Sequence, residues 1–142
     1  RLTGHPKFYF FDTGVTNGIN RRLGSPPDPV LRGRLFEQWI ILETLRLISY
    51  SLSEARLFYW RTNTGAEVDL LIERHGSLRA ACEIKSSSNV SWRDFTGLRS
   101  FHEDHPKVPL YVIADVEESY RQEGIKILPW RFYVNGFLEK IL

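Results

Sequence analysis

Between Arg32 and Tyr50, Leu35, Trp39, Leu42, Leu45 and Leu47 recur near helical spacing, and Phe36, Ile40 and Ile41 widen the apolar face. Glu37, Gln38, Glu43 and Arg46 fall among them. The spacing predicts a long helix packed on a sheet, with the apolar set as core scaffold and Glu37 an acid near the start of a mostly buried helix. Further on, Val68, Leu70 and Ile72 alternate with Glu67, Asp69 and Leu71, the period of a strand with one buried face. Arg74-His75-Gly76-Ser77 is turn chemistry, with Gly76 free to take positive φ, and Leu78 to Lys85 returns as a second strand. If the turn centres on or next to Gly76, Asp69 lies opposite Glu83 or one place off, and Glu67 falls near Lys85. Glu83 and Lys85, two apart, share one face while Ile84 points to the other. The hairpin thus gathers three acids and a lysine in one patch.

The remaining pattern fills in a sheet with helices on its faces. Lys7 to Asp12 is aromatic-rich and predicts a short strand. Thr13 or Asp12 caps a short helix running to about Leu23, and Gly24 to Pro29 is a loop on composition. These first 31 residues lead into the core. Leu57 to Arg61 predicts a strand, and Thr62 to Gly65 turns into the hairpin. Ser91 is an N-cap for a helix from Trp92 to about His105, with Phe95, Leu98 and Phe101 as its buried side. Pro109 to Asp115 is a continuous apolar run of buried-strand length, and Gly124 to Leu128 is a further strand. Pro129 stops that strand or opens a short helix carrying Trp130 and Phe132. The helix at 92–105 makes a crossover, so strand 109–115 pairs in parallel. The expectation is a single α/β domain over 1–142, with a mixed sheet and flanking helices.

Composition narrows the classes. The chain has 142 residues, 42% hydrophobic and 13% aromatic, which excludes disorder and disulfide scaffolds. Its one cysteine, Cys82, builds neither a disulfide framework nor a cysteine zinc site, which fits a reducing cytoplasm. No apolar run approaches the roughly 20 residues that span a bilayer. Methionine is absent and residue 1 is Arg, which reads as a fragment of a longer protein. The net charge of +2 neither forces nor excludes nucleic-acid binding.

A helix carrying Glu37, a strand carrying Asp69 and Glu83-Ile84-Lys85 on the next strand together resemble the PD-(D/E)XK nuclease superfamily, the restriction-endonuclease-like fold with an αβββαβ core. KFYFFDTG at 7–14, GRLFEQWIILE at 33–43, FYWRTNTGAEVDLLIE at 58–73 and CEIKSS at 82–87 look like the DUF4143 family. That domain forms the C-terminal part of prokaryotic AAA-type ATPases. No G-x-x-x-x-G-K-[ST] nucleotide site lies in the chain, so the resemblance implies an ATPase part upstream.

The resemblance implies that Asp69 and Glu83 bind Mg²⁺ or Mn²⁺, with the Ile84 backbone carbonyl between them, and that Lys85 helps activate the attacking water. Glu37 is a further ligand or second acceptor. Such a site would hydrolyse DNA phosphodiesters; the alternative is a silent accessory domain that binds DNA or a partner protein, or supports the parent structurally. From spacing alone, acids and a lysine on paired strands make cross-strand ion pairs worth well under about 1 kcal/mol each. Arg34, Arg61, Trp92 and Arg93 flank the site in sequence as candidate nucleic-acid contacts, alongside Arg32 and the pair Arg21-Arg22; a solvated surface is the simpler reading of each. His5, His75, His102 and His105 are scattered without a third ligand. Cys82 is expected as a buried small residue, and Asp12 as a turn or cap residue.

Overall fold

The computed structural model describes residues 7–21, 24 and 26–142. The helix end expected near Leu23, the Arg22 half of the basic pair and His5 lie outside the described residues. Asp12 caps a short helix, α1 (Thr13–Ile19), its carboxylate accepting from the Gly14 and Val15 amides. The long helix, α2 (Pro29–Tyr50), begins three residues before the apolar pattern does. Asp28 accepts from the Leu31 amide at 2.8 Å, and Pro29 takes the first helical position, where its missing N–H is no loss.

Six strands follow: β1 (Arg56–Arg61), β2 (Glu67–Arg74), β3 (Ser77–Lys85), β4 (Leu110–Ala114), β5 (Tyr120–Gln122) and β6 (Ile125–Pro129). They form one sheet in the order β1-β2-β3-β4-β6-β5. The β1–β2, β2–β3 and β5–β6 pairs are antiparallel, whereas β3–β4 and β4–β6 are parallel. The β2–β3 turn holds both His75 (φ 53°) and Gly76 (φ 75°) at positive φ, the geometry that matches the twist of a two-residue hairpin. Before β4 the chain crosses the sheet through a tight turn, Trp92–Phe95, and helix α3 (Thr96–Asp104). The expected single helix over 92–105 is therefore two pieces, and β5 is a short edge strand the pattern did not announce. After β6 the chain coils through helical turns over Trp130–Lys140.

Each sheet face has its own core. On one side Ile40 and Ile41 of α2 pack with Leu70, Ile72, Cys82, Ile84, Ile113 and Tyr133. On the other, Phe95, Leu98 and Phe101 pack with Val68, Leu71, Ala81, Val112 and Ile127. Val68 and Leu70 thus serve opposite faces, although their alternation reads as a single one. The cause is a β-bulge: β2 advances three residues, Val68 to Leu71, where β1 advances two, Phe58 to Trp60.

The segment 7–12 is not the strand its aromatics predict; it runs as an irregular strap. Its polar groups are met by α2 instead of a sheet edge. Gln38 donates to the Phe10 carbonyl at 2.9 Å, and Tyr9 packs against the first core. Among the described residues, no helix is long and apolar enough to cross a membrane.

Candidate functional site

The β2–β3 ladder runs in register through Leu71↔Ala81 and Leu70↔Cys82. Carried one step further it sets Asp69 against Glu83, but the ladder ends there and the strands part at the bulge. The Asp69 side chain fills the fork: its Oδ2 accepts from the Ile84 amide at 2.9 Å. Bulges commonly re-aim a side chain in this way. On β3, Ile84 turns into the core while Glu83 and Lys85 lie together, Oε1 to Nζ at 2.9 Å. Lys85 also lies 3.8 Å from Asp94, in the turn before α3. The first turns of α2 pass over the end of β3, where Gly33 comes against Ser86, and one turn later Glu37 reaches the cluster. Arg32 lies 3.6 Å from Asp115 at the end of β4, which also accepts from the Trp130 indole at 3.0 Å. The structure therefore brings Glu37, Asp69, Glu83 and Lys85 into one neighbourhood, where Ile84 is seen to contribute its N–H.

Two further side chains complete the cluster. Lys7 Nζ lies 3.1 Å from Glu37, 3.6 Å from Asp69 and in contact with Glu67. The Tyr9 hydroxyl donates to Glu37 at 2.6 Å. Sequence reasoning assigned Lys7 and Tyr9 to a lead-in and a strand. The signal that would have found them is electrostatic, because so many converging acids need a cation. Glu67, expected near Lys85, instead partners Lys7 and Arg61, while Lys85 pairs with Glu83 and Asp94.

Burial and crowding of like charge dominate the electrostatics. Asp69 is held above the usual carboxylate range by burial and by the Glu37 charge, against the Ile84 N–H, Lys7 and Lys85. Glu83 is pushed up to about 8 by burial and by the Asp69 charge, against Lys85. Burial works against both ammonium groups, yet the surrounding carboxylates raise the pKa of Lys7 and of Lys85. Five carboxylates (Glu37, Glu67, Asp69, Glu83 and Asp94) meet three cations (Lys7, Arg61 and Lys85) across these contacts. Counted as ionised, these contacts among the described residues leave two carboxyl groups unmatched, but a Glu83 pKa of about 8 keeps that group largely protonated near neutral pH, and its Oε2 is buried without a partner among the described residues. All-oxygen donors, an orphaned carboxyl oxygen and an excess of carboxyl groups over cations suit a hard divalent cation, which would displace the Glu83 proton on binding. As the side chains stand, no three acids, histidines or cysteines among the described residues are arranged to hold a metal ion. The chemistry of the donor set fits; its present arrangement is that of an ammonium-bridged cluster.

Arg34, Arg61, Trp92 and Arg93 are all exposed at the surface. Arg61 lies 3.9 Å from Glu67, and Arg93 sits against the Trp92 ring. Cys82 is fully buried, which raises its thiol pKa and takes it out of contention as a nucleophile.

A family profile described as a domain of unknown function, DUF4143, matches residues 32–133, which contain the fork and all of α2 but its first three residues. The chain belongs to the DUF4143 family. Two mycobacterial relatives, the uncharacterized protein Mb2031c of Mycobacterium bovis and the uncharacterized protein Rv2008c of Mycobacterium tuberculosis, are each 36% identical over 89 residues. Those residues are 61% of this DUF4143 chain but only 19% of each relative. No solved structure matches the chain.

Proposed function

We propose that this DUF4143 domain is a PD-(D/E)XK-type, metal-dependent phosphodiesterase acting on DNA, carried as one module of a longer prokaryotic ATPase protein that works in the cytoplasm. The observation that carries this reading is the fork. Glu83 is buried and Asp69 half-buried at the point where β2 and β3 separate, with Glu83 Oε2 unpartnered and Lys85 beside it. Crowded carboxyl groups withdrawn from water are retained at an energetic cost that shows in their raised pKa values, and a structural sheet face would not need them. The six-stranded mixed sheet flanked by α2 and α3 is compatible with a restriction-endonuclease-like core.

In this reading Asp69 and Glu83 would hold Mg²⁺ or Mn²⁺, with the Ile84 carbonyl and Glu37 as further oxygen donors. The bound ion supplies Lewis acidity, polarising the phosphate and lowering the pKa of a coordinated water. The chain supplies the rest. Lys85 presents its ammonium to the phosphate oxygens, where negative charge grows as water adds to phosphorus and the ester P–O bond breaks. Arg61, Arg34, Trp92 and Arg93 are exposed and free of the core, and would contact the nucleic-acid backbone or a base.

The test pairs metal binding with cleavage of linear, branched and single-stranded DNA. Wild type should bind Mn²⁺ and cleave, Asp69→Asn and Glu83→Gln should lose both, and Lys85→Ala should keep the metal but lose cleavage. Cleavage indifferent to both carboxylate substitutions would reject the assignment. A second reading, a catalytically silent accessory module of the ATPase that binds DNA or a partner protein, is favoured by Lys7 lying among Glu37, Glu67 and Asp69. Metal binding without hydrolysis under every condition would select it.

A further inference from the structure

Lys7 does not belong to the sheet or to α2. It is delivered by the irregular strap at 7–12, and its Nζ touches three carboxylates of the cluster, two from β2 and one from α2. An ammonium and a divalent cation would draw on the same oxygens. Both are positive, and a few ångströms of partly buried protein screen their repulsion poorly. Glu37 and Asp69 therefore cannot serve both at once. We propose that Lys7 is a tethered competitor of the divalent cation, and that the strap must lift before the acid cluster takes up the ion; this rests on the metal-dependent reading above.

The strap is built to come away. Phe8 and Phe11 are 79% and 74% exposed, so they hold little apolar surface in place. Besides the Lys7 ion pairs and the packing of the Tyr9 ring on the first core, two hydrogen bonds to consecutive residues of α2 hold the strap: the Tyr9 hydroxyl donates to Glu37 at 2.6 Å and the Gln38 amide donates to the Phe10 carbonyl at 2.9 Å. The sheet ladders do not depend on either. A segment with few buried contacts opens at lower free energy than the sheet beneath it. In the resting state the lysine compensates the cluster in place of the ion, and lifting the strap takes the ammonium away from Glu37, Glu67 and Asp69 and frees their oxygens for one.

Calorimetric titration of Mn²⁺ alone into the 142-residue chain tests the idea. Lys7→Gln and Lys7→Ala should bind Mn²⁺ at least about tenfold more tightly than wild type. Lys7→Arg keeps the charge and should bind no better than wild type. Thermal melts give a readout independent of hydrolysis. Without metal, Lys7→Gln should melt below wild type, and Mn²⁺ should raise its Tm by more than it raises that of wild type. If the Lys7 variants do not fold, Tyr9→Phe removes one anchor, keeps the lysine and should tighten Mn²⁺ binding by a smaller factor. Equal affinity in wild type, Lys7→Gln and Tyr9→Phe, with Asp69→Asn abolishing it, would overturn the competitor and leave the metal site standing. Absence of Mn²⁺ binding in wild type and in every strap variant would overturn both.

Discussion

Gly97, in the first turn of α3, lies so close to β2 that its backbone position decides how the helix seats. A Cβ added there would stand 1.7 Å from the Glu67 carbonyl oxygen and 2.8 Å from its carbon. The obstacle is main chain in a hydrogen-bonded sheet, so it cannot swing aside as a side-chain tip would. Relief requires α3 to back off by roughly 1.5 Å to reach an ordinary contact distance. Leu98 and Phe101, both fully buried, would then lose much of their contact with the second core. Overpacking of this kind costs about 1–3 kcal/mol, and the rigid backbone obstacle argues for the upper end even after a helix-propensity gain of up to ~1 kcal/mol. With an unfolding entropy of about 2.1 cal/mol/K per residue, ~3 kcal/mol corresponds to a fall in Tm of roughly 10 °C. The assay is urea and thermal unfolding followed by circular dichroism for Gly97→Ala, with Gly33→Ala as the control. Gly33 sits in α2, where among the described residues an added Cβ meets only Ser86 Oγ, at 3.8 Å, so Gly33→Ala should be neutral or slightly stabilising. Gly97→Ala within about 0.5 kcal/mol of wild type would refute the argument that this close approach seats the helix.

The pH response of the metal-free protein follows from Glu83. Its folded pKa of about 8 lies above its ordinary 4.5, so the folded chain holds more protons between those values. Stability should be fully present below about pH 4.5 for this group and be lost as pH rises toward 8, and Glu83→Gln should flatten that slope in Tm-versus-pH curves. Cys82 should resist alkylation by a maleimide at neutral pH in the native protein and react once urea unfolds it; rapid native labelling would contradict its burial. Thr44 hydrogen-bonds the buried Tyr133 hydroxyl at 3.0 Å, so Thr44→Val should destabilise by about 1–3 kcal/mol, and Thr44→Ser by less, in the same unfolding assay.

Much of this arrangement is written in local periodicity. The places and rough extents of α2, the 67–85 hairpin and the parallel strand at 110–114 follow from apolar spacing and turn residues, but the buried face of α2 is set by Ile40, Ile41 and Leu42 with Gln38 and Thr44, and Leu45, expected in the core, is exposed. The meeting of Asp69 with Glu83 follows from counting back across the turn at Gly76. Other parts depend on long-range contacts that spacing does not encode. Lys7 to Asp12 has strand propensity but no sheet edge to join, because Gln38 and Glu37 supply its hydrogen bonds from α2. Asp28-Pro29 carries an N-cap and first-turn signature, but among prolines and a glycine it reads as loop. Val68 and Leu70 look like one face until the bulge divides them between two cores, which their alternation with Glu67 and Asp69 cannot reveal. Lys7 escaped notice because nothing near it in sequence is acidic; its partners are distant in the chain.

The extra residue in β2 makes the cluster a matter of phase as well as of identity. Upstream of the bulge every side chain of that strand is turned half a period from where a regular ladder would put it. A related chain with the same charged residues but one residue fewer between Val68 and Leu71 would therefore aim Glu67 toward α3 and away from Glu37. Comparisons across the family that score only which acids are retained would treat two such chains as equivalent; counting the spacing would tell them apart.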